Sequence, residues 1–253
     1  METSYEKLAL FYDQLMQGVD YQAWVSYVEE LVAYFQGNKK GNTKKINSVV
    51  DLACGTGNST IPWSERGYRT FGVDLSAAML KIACQKAQKK GKRITFLQQD
   101  LRSMALPQQV GLAVCFQDGF NYILNEEDLA AAFRSVYHNL HPEGFFIFDL
   151  NYLPQLLPQN VNHYSTDEEG YSLTWSIRYD KKDKLWEVTV SGIIKGEKDH
   201  HFCETHYEKI YDPSDVWTLL IRQGFTVLGT YQAFTFSPPH ENAPRLVYIA
   251  QKL

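Results

Sequence analysis

The stretch Val49-Val-Asp-Leu-Ala-Cys-Gly-Thr-Gly-Asn-Ser-Thr60 constrains this chain more than any other. Its first residues form an apolar run of strand length, and the glycines at 55 and 57 then allow a sharp turn whose backbone a ligand can approach closely. A helix follows, and its first N–H groups have no partner within the helix. Strand, glycine turn and helix in this order make the opening unit of an α/β sheet with a ligand site at the strand's carboxyl end. The dinucleotide form of the turn has a third glycine three residues after the second, where helix and strand pack closely. Thr60 stands there instead, so the pyrophosphate fingerprint is incomplete. Asp51 would repel a pyrophosphate but suits an ammonium group, held directly or through water.

The rest of the chain continues the alternation. Tyr21, Trp24, Val25, Val28, Leu31, Val32 and Phe35 follow helical spacing up to Gly37-Asn38, and a polar loop over 39–45 leads to a strand over 46–52. Further strands are expected at 70–73, 94–98, 112–116 and 144–149, with helices at 77–90 and 126–139. This alternation predicts a doubly wound parallel sheet with helices on both faces. After Asn151 the period changes to two: Tyr171, Leu173, Trp175, Ile177 and Tyr179 alternate with Ser172, Thr174, Ser176 and Arg178. An antiparallel array with strands over 171–179, 185–194 and 201–211 is expected. The core pattern resumes with a helix over 214–222, a stop at Gly224, and strands over 225–231 and 245–251.

At 253 residues and 44% hydrophobic composition, one domain with an elaboration is the default. A net charge of −4 lacks the basic footprint of a polyphosphate-binding surface, so no nucleic-acid partner is expected. Cys54, Cys84, Cys115 and Cys203 are too scattered for a disulfide framework or a zinc ribbon. The opening residues lack a signal-peptide pattern, and no apolar run approaches the roughly 18 residues of a membrane span. A cytoplasmic protein with no membrane partner is the expectation.

Two more acidic positions sharpen the site. Gly72-Val-Asp-Leu-Ser76 puts Asp74 at the end of the second strand, where a carboxylate can accept from both hydroxyls of a ribose. Gln98-Gln-Asp-Leu101 sets Asp100 after the third, beside the place where an adenine would lie and within reach of its exocyclic amine. With Val50-Asp-Leu-Ala-Cys-Gly-Thr-Gly57, Gly72-Val-Asp-Leu-Ser-Ala-Ala-Met79, Gln99-Asp100 and Phe116-Gln-Asp118, the chain from about Tyr12 to Gly224 resembles the class I S-adenosylmethionine-dependent methyltransferases, in their small-molecule (amine or sugar N-) branch. The resemblance implies a Rossmann-like methyltransferase sheet, mostly parallel with the last strand antiparallel, and an inserted antiparallel β lid. A single domain over 1–253 would then comprise a helical cap over 1–40, an α/β core over 46–151 and 212–253, and a lid over 164–211. It also implies S-adenosylmethionine as cofactor, lined by Asp51, Ala53, Gly55 and Gly57 near the methionine part, Asp74 and Leu75 at the ribose, and Met79, Asp100 and Leu101 about the adenine. Gln117 or Asp118 would close the site.

Phe11-Tyr-Asp13 and Tyr21-Gln-Ala-Trp24 resemble the cap over the cofactor in several small-molecule methyltransferases. Tyr12, Tyr21 and Trp24 are therefore cofactor candidates, since aromatic faces attract a sulfonium; the alternative for Trp24 is burial of an aromatic stripe against the sheet. Glu204-Thr-His-Tyr-Glu-Lys209 resembles the segment after the lid in sugar N-methyltransferases, whose pattern Glu-x-His-x-x-Arg is broken here by Lys209. His206 is a candidate general base, with Tyr12 as a second catalytic candidate; the alternative is a hydrogen-bonded strand histidine. His200 and His206 lie on one side of their strand and His201 and Cys203 on the other, so no metal site is expected. The expected reaction is methyl transfer to a small-molecule acceptor at N or O, releasing S-adenosylhomocysteine, by a monomer or a lid-mediated homodimer. The competing readings are a non-catalytic S-adenosylmethionine sensor and an NAD-linked oxidoreductase; Thr60 and Asp100 count against the second.

Overall fold

The computed structural model describes residues 8–37, 46–152, 162–168, 171–195 and 199–253. The expected loop over 39–45 and the start of the cap lie outside them. In chain order the helices are α1 (Ala9–Leu15), α2 (Tyr21–Gly37), α3 (Thr60–Glu65), α4 (Ala77–Lys89), α5 (Glu126–Asn139) and α6 (Pro213–Arg222). The strands of the main sheet are β1 (Ser48–Leu52), β2 (Arg69–Asp74), β3 (Ile94–Gln98), β4 (Val110–Cys115), β5 (Leu140–Asn151), β10 (Phe225–Gln232) and β11 (Arg245–Lys252). A second sheet holds β6 (Asn162–Glu168), β7 (Tyr171–Asp180), β8 (Leu185–Ile194) and β9 (His200–Lys209).

The main sheet runs β10-β11-β5-β4-β1-β2-β3. Strands β1 to β5 pair in parallel, and β11 runs antiparallel to both β5 and β10. Strand order reverses between β1 and β4, which opens a crevice at the carboxyl ends of those two strands. Every residue of β1 is buried, as a central strand covered on both faces requires. Its alternate residues serve opposite cores: Val50 and Leu52 pack with Phe133 of α5 and Leu220 of α6, while Val49 packs with Leu31 of α2 and Trp63 of α3. Helices α4 and α5 start where short polar side chains cap them. Ser76 accepts from the Met79 amide ahead of α4 and Asn125 from the Asp128 amide ahead of α5, a contribution of about 1 kcal/mol each. Among the described residues no helix is long and apolar enough to cross a membrane.

The sequence reading placed the elements but not all of their limits. The fifth strand begins at Leu140 rather than 144, because Val110 of β4 pairs with Leu140 before the register shifts around Gly144. The lid has four strands rather than three; β6 pairs antiparallel with β7. Strand β9 stops at Lys209, and Tyr211 beyond it belongs to the core, its hydroxyl donating to the Ile123 carbonyl. The alternating face of β7 finds the cross-strand neighbours expected of it, with Trp175 opposite Val190, Ile177 opposite Val188 and Tyr179 opposite Trp186. Leu173 is accommodated by Gly192 opposite, where a Cβ would lie 2.4 Å from its Cδ2. Leu8 and Leu15, at the two ends of α1, pack onto this inner face.

Candidate active site

Two cavities meet above the carboxyl ends of the parallel strands. The first, of about 500 Å³, is walled by Ala53 and Gly55 after β1, Asp74 and Leu75 after β2, Asp100 and Leu101 after β3, and Gln117 after β4. The second, of about 700 Å³, lies between α1 and the lid, with Trp175, Val190, His206 and Glu208 on the lid side. Tyr12 of α1 and Tyr122, in a short 3-10 turn over Gly119–Tyr122, line both.

The glycine loop is shaped by left-handed backbone at Ala53, Gly55 and Gly57, with φ of 50°, 52° and 78°. Gly57 also lets α4 approach: a Cβ there would sit 3.1 Å from that of Ala83. Asp74 fixes the loop from the next strand, accepting from the Gly55 amide at 2.7 Å and the Ser76 amide at 2.8 Å. Burial pushes its carboxyl above the ordinary value, against the lowering effect of those amides. Asp51 lies beneath the loop. Its Oδ2 accepts from the Ser59 and Thr60 hydroxyls, both at 2.6 Å, and its Oδ1 has no hydrogen-bond partner among the described residues. Burial pushes it up to about 7.

Asp100 is held by a fork from Arg102, whose Nε lies 3.0 Å from each carboxylate oxygen, and this pairing keeps it below the ordinary carboxylate range. Arg102 also reaches Asp128 at 3.0 Å. On the opposite side, Asp13 of α1 latches the helix over the glycine loop: Oδ1 accepts from Thr56 at 2.5 Å and Asn58 at 2.9 Å, and Oδ2 pairs with Lys86 of α4 at 2.6 Å. The Leu8 amide donates to Glu204 of β9 at 3.1 Å, so α1 is tied to the lid as well.

Of the candidates read from sequence, Tyr12, Ala53, Gly55, Asp74, Leu75, Met79, Asp100, Leu101 and Gln117 line the first cavity. Others stand back from it. Gly57 packs on α4, and Asp51 serves the start of α3 from below. Trp24 is a correction: it is a core residue, its ring 5.1 Å from Phe116 and 4.6 Å from Phe234, because α2 turns its aromatic stripe onto the sheet. Through Phe116, a wall residue, it backs the cavity without facing it. Tyr21 is likewise a supporting residue, its phenol buried beside Asn58 and Tyr12 and pushed up to about 12 by that burial. Asp118, expected to close the site, turns instead to Arg245 at 2.9 Å. Gln117 and Asp118 both adopt left-handed backbone, φ 59° and 58°, so the chain reverses after β4 and their side chains part.

His206 lines the second cavity, not the first, and burial holds its imidazole below the ordinary value despite Glu204, 3.6 Å away. Its neighbours on β9, Thr205 and Tyr207, are exposed, as are His201 and Cys203, in keeping with the alternation; the His200 side chain lies outside the described residues. The sequence reading missed Tyr122, Arg102 and Glu208. Arg102 had a local cue two residues after Asp100, Glu208 shares its strand face with His206, and Tyr122 ends the segment Gln117-Asp-Gly-Phe-Asn-Tyr122 that follows the fourth strand.

Comparison with known proteins agrees with this geometry. A family described as a methyltransferase domain matches residues 49–144. A protein of Geobacillus sp. (strain WCH70), named provisionally as a methyltransferase, is 30% identical over 255 residues, covering 98% of this chain and all of that one. The dTDP-3-amino-3,4,6-trideoxy-alpha-D-glucopyranose N,N-dimethyltransferase of Streptomyces venezuelae is 30% identical over 222 residues, 86% of this chain and 88% of its own. The crystal structure of an S-adenosylmethionine-dependent methyltransferase from Clostridium acetobutylicum ATCC 824 superposes with a TM-score of 0.84 at 27% identity, over 99% of each chain. A glycine loop, carboxylates at three successive strand ends and this likeness along the whole length lead to one conclusion: the chain belongs to the class I S-adenosylmethionine-dependent methyltransferases and is an enzyme that takes its methyl group from that cofactor.

Proposed function

We propose that the enzyme methylates a small molecule at nitrogen or oxygen, that the first cavity holds the cofactor, and that the second holds the acceptor. The carrying observation is that Tyr12 and Tyr122 line both cavities, so the two meet at a pair of aromatic residues. The residues present fit the cofactor. Asp74 and Asp100 in the wall favour a cation over a pyrophosphate, and beneath the glycine loop Asp51, with one buried oxygen that has no partner among the described residues, adds to the same acidic character. When bound, S-adenosylmethionine supplies a methyl group already activated by its sulfonium.

What remains for the chain is alignment and exclusion of water. Asp74 would hold the ribose hydroxyls with a carboxylate already fixed by two amides. Leu75, Leu101 and Met79 would cover the adenine and Asp100 would accept from its amine, its own charge secured by Arg102. Gly55 and Ala53 would let the methionine part lie against the backbone, and Gln117 would close that end. Tyr12, held over Gly55 by the Asp13 latch, screens the reacting centre from solvent. The place of the acceptor cavity, a cleft between α1 and the lid, supports a small molecule, as does the amino-sugar acceptor in the name of the Streptomyces relative. The test is incubation with methyl-labelled S-adenosylmethionine and separate pools of amines, hydroxy acids and nucleoside sugars. Label is expected in a small-molecule product; label found only in added protein or nucleic acid would overturn the reading.

A further inference from the structure

The chemistry of the acceptor can be read from the second cavity, a step that rests on the proposal that this cavity holds it. Alternation along β9 turns Phe202, Glu204, His206 and Glu208 inward, and His206 and Glu208 reach the cavity wall. Glu208 is the deeper carboxylate. Its Oε2 accepts from Asn151 Nδ2 at 3.1 Å, the same amide that donates to Asp118 at 2.7 Å, and the Tyr122 hydroxyl donates to it from the junction of the two cavities. The cation close by, Arg245, is already paired with Asp118 and with Asp149. Among the described residues, three carboxylates, Asp118, Asp149 and Glu208, thus share this guanidinium behind the wall. No Lys or Arg is among the described residues that line the cavity, whereas Tyr12, Tyr122, Tyr171 and Trp175 are. Acidic surplus with aromatic rings is the environment that favours an organic cation and penalises an anion.

We propose that the acceptor is a cationic amine carrying no phosphate, and that Glu208 anchors its ammonium group and takes a proton from it before methyl transfer. The amine N–H bond breaks, the proton passes to a Glu208 oxygen, and the electron pair stays on nitrogen. That pair forms the new N–C bond while the C–S bond of the sulfonium breaks, its electrons remaining on sulfur. The product leaves as an N-methylammonium with neutral S-adenosylhomocysteine, and Glu208 returns its proton to water. The groups facing Glu208 are His206 on its own strand, Tyr122 and Asp118 after β4, Asn151 of β5 and Arg245 of β11. Burial and the charge of Asp118 push Glu208 up to about 7, against Asn151, Arg245 and Tyr122, which suits a group that must accept a proton near neutrality. A dTDP-linked sugar, by contrast, would bring a diphosphate into a cavity with no cation among its described lining residues.

Two matched series test this with the full-length enzyme: tyramine, tyrosol and tyramine phosphate; glucosamine, glucose and glucosamine 6-phosphate. Binding is read by tryptophan fluorescence with S-adenosylhomocysteine present, and turnover by labelled methyl transfer. At least one amine is expected to bind and accept methyl at nitrogen, with its alcohol and phosphate counterparts at least tenfold weaker. Glu208→Gln is expected to lower kcat/KM for that amine about a hundredfold, leave cofactor affinity within twofold, and abolish the rise of kcat/KM through pH 7; Glu208→Asp should restore part of the loss. Transfer only to an alcohol or a phosphorylated member, no binding by either amine, or full amine turnover in Glu208→Gln would each overturn the proposal while leaving the acceptor cavity in place. If instead Val190→Trp, which pushes a bulkier side chain into the cavity from the lid wall, leaves the KM and kcat for that amine unchanged, the assignment of the cavity itself fails.

Discussion

Asp74 receives amide hydrogens from Gly55 and Ser76, so its carboxylate is set in position before a ligand arrives. Losing a charged acceptor for two ribose hydroxyls should cost about 1.5–3 kcal/mol. Asp74→Ala is therefore expected to weaken cofactor binding more than tenfold by calorimetry, while Asp74→Asn, which keeps an acceptor for the Gly55 amide, should lose less. Asp51 obeys a different logic. Burial raises its folded pKa to about 7 from an ordinary value near 4, so the chain binds a proton there on folding. The stability this confers is complete below pH 4 and is lost as pH rises through 7. Asp51→Asn keeps an acceptor for Ser59 and Thr60 and carries no charge to bury. In the free enzyme its melting temperature should gain on the wild type's as pH rises, the difference between the two widening by about 3 °C or more from pH 5 to pH 8. A difference that does not widen would mean that the Asp51 charge is compensated.

At the scale of elements, α1 is short, and its placement rests on its contacts. Lys86, with Asp13 and Asn58, ties it to the glycine loop, but the Lys86–Asp13 pair is part exposed and contributes about 1 kcal/mol or less. Lys86→Ala should therefore speed cofactor dissociation about threefold to fivefold in stopped flow and move the melting temperature by less than about 2 °C. Strand β9 gives a complementary case. His206→Phe should leave cofactor affinity unchanged, since the imidazole faces the second cavity only, and should alter turnover once an acceptor is known; full activity would mark His206 as a packing residue. These elements also mark how far the sequence was legible. Asp74, Asp100 and the glycine loop each sit within a few residues of a strand end, and their roles follow from local order. The alternation of β7 revealed the lid for the same reason. The polar cluster behind the second cavity was not legible, although His206 in its wall was, because Arg245 stands 127 residues from Asp118 and Asn151 stands 57 from Glu208, and only the fold brings them together. Trp24 was open to two readings because the stripe that could cap a cofactor is the same stripe that packs α2 onto a sheet, and the structure gives it the second. Strand β6 has the polar sequence Asn-His-Tyr-Ser-Thr-Asp-Glu, with no apolar alternation to announce it.

Across the whole molecule, the parallel sheet and the lid are separate sheets, each with its own hydrogen-bonded order, and α1 touches both. It holds the glycine loop through Asp13 and the lid through the Leu8 amide and the side chains of Leu8 and Leu15. A helix clamped at both ends in this way makes the two ligands' comings and goings interdependent. On the proposed assignment of the two cavities, the acceptor's chamber would have one wall that is steady only while the glycine loop beneath it is steady, and a cofactor leaving from under Tyr12 would disturb that wall. Initial-rate kinetics should consequently show a compulsory order, cofactor on first and S-adenosylhomocysteine off last. In product-inhibition plots S-adenosylhomocysteine should compete with S-adenosylmethionine but not with the acceptor. A random order in the wild type would show that the helix lets each chamber open alone, and Lys86→Ala, by loosening one end of the clamp, is the variant expected to drift toward it. The seven residues of α1 would then be the enzyme's timekeeper, deciding when each molecule enters and not which one does.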